Sequence, residues 1–344
     1  MQTFTNCASC GGELIFNPSS AQVECGKCRK GYAIEQEKCV FHKIDMTGEV
    51  KEISLGLENV RLKCNSCGAS FKGQRYNMSN LCEYCGSQLV EDFEKSLSTK
   101  PDGIIPYAFD KADAKIKFDE QRKKKHFLHS GFKKAPITKI ESIYIPTFLF
   151  KCSSNSDYSG VIEKTKTDSR GQSSTYTRNI NGTKYWDDEQ IIIECSDFLT
   201  QTTMDSINPY DLSKLYKFNK GFIMGYSVEH LNRKLADIRK QADEIHRRNI
   251  RQAIIRDYPF DRVIRLNFTT EYKSSVYSYV ILPTYKITTS RNGKTYETFM
   301  NGQTGKTSKM PKSGWKITLL VLGLIAGVGL LGLLIMWLNG WQNF

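Results

Sequence analysis

The chain has 344 residues, 40% of them hydrophobic, with 49 Lys and Arg against 36 Asp and Glu for a formal charge of +13. That length and hydrophobic share exclude a wholly disordered chain and allow two or three small domains. The basic surplus suits a nucleic acid or an anionic membrane as partner, and only its position along the chain can separate the two.

The first ten residues are polar and show no basic stretch followed by an apolar one, so no secretory leader is expected. Without export the eleven cysteines stay reduced, and metal binding leads over disulfide stapling. Eight of them form four pairs: Cys7 with Cys10, Cys25 with Cys28, Cys64 with Cys67, and Cys82 with Cys85. Both halves read C-x2-C-x14-C-x2-C, and the second repeats the first 57 residues later. Zinc takes four soft ligands in a tetrahedron, and two C-x2-C knuckles close such a site. Gly11, Gly68 and Gly86 fit the turns after Cys10, Cys67 and Cys85, whereas Arg29 after Cys28 departs from the pattern. Units of about 30 residues cannot build an adequate core, so metal must supply folding free energy. With every ligand from protein, the expectation is two structural Zn2+ sites, with an iron centre or paired disulfides as alternatives. Cys39, Cys152 and Cys195 lack partners at ligand spacing and read as buried small residues.

After a polar linker at 94–102, a helix is expected over about 110–127 with Ala114, Phe118 and Gln121 on one side, ending in Arg122, Lys123, Lys124 and Lys125. Strands are expected at 142–152, interrupted by Pro146, and at 190–194, with a twisted hairpin between them. A long helix over 228–256, capped by Ser227, carries Leu231, Leu235, Ile238, Ala242 and Ile245 on one face. That stripe suits packing on its own domain, with a coiled-coil or membrane-surface role as alternatives. Strands follow at 262–269, 275–282, 284–289 and 296–300, with turns at Asn292-Gly293 and Asn301-Gly302.

From Ile317 to Leu338 there is no charge and only Thr318 is clearly polar, and Trp315, Trp337 and Trp341 mark the ends. At about 1.5 Å per residue such a stretch crosses a hydrocarbon core of about 30 Å. Lys306, Lys309, Lys312 and Lys316 precede it and residues 339–344 are uncharged. The expectation is therefore a single-pass cell-membrane protein with its N-terminal bulk in the cytoplasm, able to meet anionic membrane lipids. Gly323 and Gly327 have the spacing for a homo-oligomer contact. The resulting fold class is α+β: two N-terminal four-cysteine zinc ribbons (1–34 and 61–94) joined by a connecting segment (35–60), a mixed α+β body with antiparallel strands and one long helix (95–310), and a C-terminal transmembrane helix (317–338) with a short external tail (339–344).

Residues 1–99 hold 11 basic and 12 acidic side chains, a balance of −1, and the rest of the chain holds 38 and 24, a balance of +14. Four thiolates on one dication add about −2 per site, so the ribbons suit protein docking better than DNA. Gly302-Gln303-Thr304-Gly305-Lys306-Thr307 looks like the end of a phosphate-binding loop, but Met300 stands where the first glycine is required, and a polar turn is the better reading. No histidine pairs with a carboxylate or cysteine in a way that suggests catalysis, so no enzyme is expected.

Ile105-Pro106-Tyr107, Ala114 through Phe127, Tyr144-Ile145-Pro146, Asp157-Tyr158-Ser159-Gly160, Tyr258-Pro259-Phe260, Ile281-Leu282-Pro283 and Gly293-Lys294-Thr295-Tyr296 through Lys306 carry a resemblance over nearly the whole chain. With the ribbons, they resemble bacterial TFIIB-type zinc-ribbon-containing membrane proteins, the YdjG-like family, some of which bear a primosomal or helicase-like label. Thr284 stands where an aromatic usually follows the Leu-Pro, and the ribbons come as a tandem pair. The resemblance implies a membrane-anchored adaptor that works with phage-shock (PspA-like) and SPFH/flotillin-like proteins in envelope stress. The expected function is thus a membrane-anchored zinc-ribbon scaffold that recruits cytoplasmic proteins, and the alternative is a membrane-tethered nucleic-acid binder using Arg122 to Lys125 and the long basic helix.

Overall fold

The computed structural model describes residues 6–48, 100–169, 171–196, 198–229 and 231–313, paired strands between 61 and 91, and Val328, Gly329 and Leu331. Strands β1 (Leu14–Asn17), β2 (Gln22–Cys25) and β3 (Gly31–Ala33) form a three-stranded antiparallel sheet in that order. Alternation along β1 and β2 buries Leu14, Phe16 and Val23 on one face. β4 (His42–Lys43) leaves this unit and pairs with the body. β5 (Arg61–Lys63), β6 (Ser70–Lys72), β7 (Ser79–Leu81) and β8 (Gln88–Glu91) make a second antiparallel sheet in the order β6-β5-β8-β7.

The body follows as β9 (Gly103–Ile104), α1 (Lys111–Lys124), α2 (Ser130–Lys133), β10 (Ile137–Thr167), β11 (Ser173–Glu194), α3 (Gln201–Ile207), β12 (Tyr216–Lys217), β13 (Ser227–Val228), α4 (Leu235–Arg256), β14 (Arg262–Arg291) and β15 (Lys294–Asn301). Three strands dominate it, with 31 residues in β10, 22 in β11 and 30 in β14. β10 lies between the other two, antiparallel to both. The expected mixed α+β body is corrected to a mostly β one. Segments that read as separate strands from 262 to 289 are one continuous strand, and the polar stretch after 152 continues β10 and β11 as the expected hairpin.

Pro146 does not interrupt β10, and the reason is topological. The outer edge of β10 pairs with β13 at Ile143 and Tyr144 and with β11 from Thr147 onward. Pro146 falls in the gap between these partners, where a missing N–H removes no ladder bond on that edge. Pro283 does the same on β14, between β9 at Val280 and Ile281 and β15 from Thr284.

The long helix begins at Leu235 rather than Val228, because Ser227 and Val228 pair in parallel with Ile143 and Tyr144. Its buried face, Leu235, Ile238, Ala242, His246, Ile250 and Ile254, packs on β11 and β10. α1 starts at the cap Asp110, whose carboxylate accepts from the Asp113 amide, and buries Ala114 and Phe118.

Among the described residues no helix is long and apolar enough to cross a membrane. This overturns the expected transmembrane helix and the single-pass cell-membrane placement built on it. Of the stretch 317–338 only Val328, Gly329 and Leu331 are described; Gly323, Gly327 and the tail 339–344 lie outside the described residues.

Candidate metal centre

Cys7 and Cys10 precede β1, Cys25 ends β2, and Cys28 lies in the turn between β2 and β3. The two knuckles repeat one backbone pattern. Gly11 N–H donates to Cys7 O at 2.8 Å and Arg29 N–H to Cys25 O at 2.9 Å, while Cys7 N–H donates to Gly12 O at 2.9 Å and Cys25 N–H to Lys30 O at 3.0 Å. The pattern requires left-handed backbone after the second cysteine of each pair, and Gly11 and Arg29 have φ of 68° and 62°. Glycine adopts this freely and arginine at a cost, so the departure noted at Arg29 leaves the knuckle intact.

All four sulfurs lie within 4.8 Å of one another. Cys7 Sγ is 3.5 Å from Cys28 Sγ, and Cys10 Sγ is 3.5 Å from Cys25 Sγ. A disulfide needs about 2.05 Å, whereas a zinc tetrahedron with bonds of about 2.3 Å has edges of about 3.8 Å. The donor set therefore fits a tetrahedral thiophilic ion. The Tyr32 hydroxyl, 3.2 Å from Cys7 Sγ, pulls the Cys7 thiol down to about 6. The Cys28 amide likewise lowers Cys25. At Cys10 the Gly12 amide also pulls downward, but its hydrogen bonds with the Cys28 and Cys25 thiols outweigh it and push Cys10 up to about 12. Thiols this crowded cannot all ionise unaided, and a dication removes the conflict.

This unit is fastened to the body. Phe16 N–H donates to Met224 O at 3.0 Å, and the Phe16 ring meets Phe222 edge-on at 5.4 Å between centroids. Cys7, Cys25, Phe16 and Val23 belong to the same buried cluster as Tyr107, Tyr144 and Phe222. An open groove of about 460 Å3 runs along this junction, bounded by Ile15, Arg29, Lys111 and Tyr226.

One four-cysteine cluster is present among the described residues. Cys64, Cys67, Cys82 and Cys85 lie outside them, although β5 and β6 flank the first pair in sequence and β7 and β8 the second. Cys39 Sγ is 3.1 Å from Ser278 Oγ, and burial pushes the Cys152 thiol up to about 12 and raises Cys195 further. Cys152 and Cys195 are buried as expected, whereas Cys39 is only half-buried.

The glycine-rich segment after β15 is a structural latch. Asn301 Oδ1 accepts from the Gln303 and Thr304 amides at 2.8 and 3.0 Å, and Asn301 Nδ2 donates to Ile207 O and Pro209 O at 3.1 and 3.2 Å. Lys306 Nζ donates to Asn208 O, and Gln121 of α1 donates to Gly305 O at 2.7 Å. The loop's polar groups are thus spent on its neighbours rather than turned toward a phosphate. Of the basic run at the end of α1, Arg122 is also engaged, donating to Phe132 O and Ala135 O and pairing with Asp119 at 2.6 Å.

Sequence spacing missed one constellation. Ser154 Oγ is 2.7 Å from His246 Nε2, His246 Nδ1 contacts Glu189 Oε2, and Asn249 Nδ2 donates to Glu189 Oε1 at 2.7 Å. The connectivity is that of a Ser-His-Glu triad. Ser154 is only 1% exposed and His246 0%, and Trp186 and Tyr272 close over the imidazole. A nucleophile needs substrate contact, so this set is a polar fastening between α4 and the sheet. Its members lie 35 and 57 residues apart in sequence, and no local pattern announces them.

The fold and site define a mostly antiparallel β protein that carries on its body a four-cysteine cluster able to hold a metal ion. It is 24% identical over 338 residues to the uncharacterized protein YdjG of Bacillus subtilis (strain 168), covering 93% of this chain and 94% of that one. No protein-family model matches the chain, and no solved structure matches it.

Proposed function

We propose that the chain is a non-catalytic zinc-ribbon adaptor that recruits partner proteins, with structural Zn2+ held by Cys7, Cys10, Cys25 and Cys28 and a second Zn2+ by Cys64, Cys67, Cys82 and Cys85. One observation carries this reading: a four-thiol cluster with no coordination position left for substrate, fastened by Phe16 to a large β body. The formal −1 of residues 1–99, made more negative by the thiolates, favours a protein over a nucleic acid at the ribbons. Partners of the PspA-like and SPFH/flotillin-like kinds fit the resemblance.

Metal analysis of protein purified without added metal should give close to two zinc per chain. Affinity purification of the full chain should recover a partner that is lost in Cys7→Ser or Cys64→Ser. Retention of the partner after both substitutions would count against docking through the ribbons.

A second reading, nucleic-acid binding, rests on α4, where Arg247, Arg248, Arg251 and Arg256 are exposed. Its mark is an affinity for duplex DNA that falls steeply as salt rises.

A further inference from the structure

The groove between the four-cysteine unit and the body carries charge of both signs, and the two signs are used differently. Its carboxylates are engaged within the chain: Glu24 accepts from the Ser20 hydroxyl at 2.6 Å, and Asp110 accepts from the Asp113 amide at 2.9 Å. Its cations, Arg29 and Lys111, are exposed, and among the described residues their side chains make no hydrogen bond or ion pair. Hydrogen bonds from Ser20 and Asn17 hold the Glu24 carboxyl below its usual range, and the charge of Arg29 adds to them. α1 opens into the same groove at Lys111 and Ala112, whose amides have no backbone partner among the described residues. Free amides at the start of a helix, with two cations beside them, favour an anion.

A second observation lies deeper in the groove. Ser142 is 5% exposed, yet its hydroxyl has no partner among the described residues, although a buried hydroxyl ordinarily takes one. It lines the groove two residues before Tyr144, so both side chains leave β10 on one face, where the Tyr144 ring meets Tyr226 of the groove wall at 5.9 Å between centroids. Beside these polar groups the walls are apolar, with Ile15 42% exposed at the rim.

We propose that this groove captures the C-terminal carboxylate of a partner polypeptide. The carboxylate meets the start of α1 between Arg29 and Lys111, the last side chain lies against Ile15 and Tyr226, and the Ser142 hydroxyl bonds the last peptide group. A chain end matches the chemistry on three counts. It offers one anion beside an apolar group, the groove is open so that the rest of the chain can leave, and its end is read by the free backbone amides. Glu24 and Asp110 disfavour a more highly charged anion such as phosphate, because like charges in one site repel. The proposal rests on the adaptor reading and gives it a recognition element beside the metal centre.

The test equilibrates the full-length, zinc-loaded protein with pooled N-acetylated tetrapeptides ending in Leu, Ile, Val or Phe, as free acids or as amides, and reads the bound fraction by mass spectrometry. Free acids should be retained at least about tenfold better than amides. Arg29 has φ of 62°, so Arg29→Gly relieves the backbone and keeps zinc content and thermal stability at or above wild type. The same substitution should weaken binding of the acid peptides at least about fivefold. Lys111→Gln, away from the cysteines, should weaken it similarly, and Ser142→Ala about threefold or more. No retention of acids, equal retention of acids and amides, or wild-type affinity in zinc-replete Arg29→Gly or in Lys111→Gln would each overturn the proposal. A partner that is lost in Cys7→Ser but kept in Arg29→Gly and Lys111→Gln would refute the groove alone and leave the adaptor reading standing.

Discussion

Gly12 sets how closely the two knuckles approach. A Cβ there would lie 2.9 Å from both Cys25 Sγ and Lys27 Cβ, so Gly12→Ala must displace a ligand. Zinc affinity, measured by chelator competition, should fall about tenfold or more. Gly11→Ala meets no atom within 4 Å, and its cost is the left-handed backbone alone, about 1 kcal/mol of stability. Glu229 makes a second residue-scale argument. Burial, aided by the nearby Glu194 carboxylate and opposed by Lys286, raises its carboxyl from 4.5 to about 7. The folded state therefore holds a proton that the unfolded state releases between those values. Glu229 contributes its stability below about pH 4.5, and that contribution is lost as pH rises to about 7, on the order of 3 kcal/mol in all. In Glu229→Gln this part of the decline should vanish, so urea midpoints at pH 5 and pH 8 should lie closer together than in wild type.

Two contacts decide how the elements are held. The Asn301 side chain ties the end of β15 to the end of α3 and the segment after it through two hydrogen bonds, and holds its own loop through two more. Asn301→Ala should cost about 2–3 kcal/mol in denaturant unfolding, chiefly from the backbone groups left without partners. At α4, His246 and Glu189 are both buried and joined. His246→Ala leaves the Glu189 carboxylate with Asn249 as its remaining described partner, and should cost on the order of 3 kcal/mol. Asp243 and Arg247 stand four apart on this helix, the spacing of an ion pair, yet the Asp243 carboxylate accepts from the Tyr272 hydroxyl at 2.6 Å. Helix spacing places charges near each other, but a half-buried hydroxyl across the interface is the better partner for a half-buried carboxylate.

At the scale of the whole molecule, the four-cysteine unit and the β body share one core, with Phe16 on Phe222 and Tyr226. Zinc removal should therefore destabilise the body as well as the ribbon. A strong chelator is expected to lower the main thermal transition by several degrees, and to lower it less in Phe222→Ala, where the coupling has already been cut. A body transition indifferent to the chelator in both proteins would show that the two units fold independently.

Spacing alone determined the four cysteines of the described cluster, because the ligands of a tetrahedral site come from two local turns that sequence writes out in full. Local chemistry also determined that a helix starts near Asp110, although α1 ends at Lys124 rather than Phe127, and it determined the Asn292-Gly293 turn, where both residues have positive φ. The tertiary structure alone decided that Pro146 and Pro283 sit inside long strands, since the seam that tolerates each is made by strands distant in sequence. It alone recruited Ser227 and Val228 to the sheet and brought Ser154, Glu189 and His246 together. Residues whose partners lie within one turn are legible from the chain, whereas those whose partners arrive from another strand or helix acquire their roles only when the sheet closes.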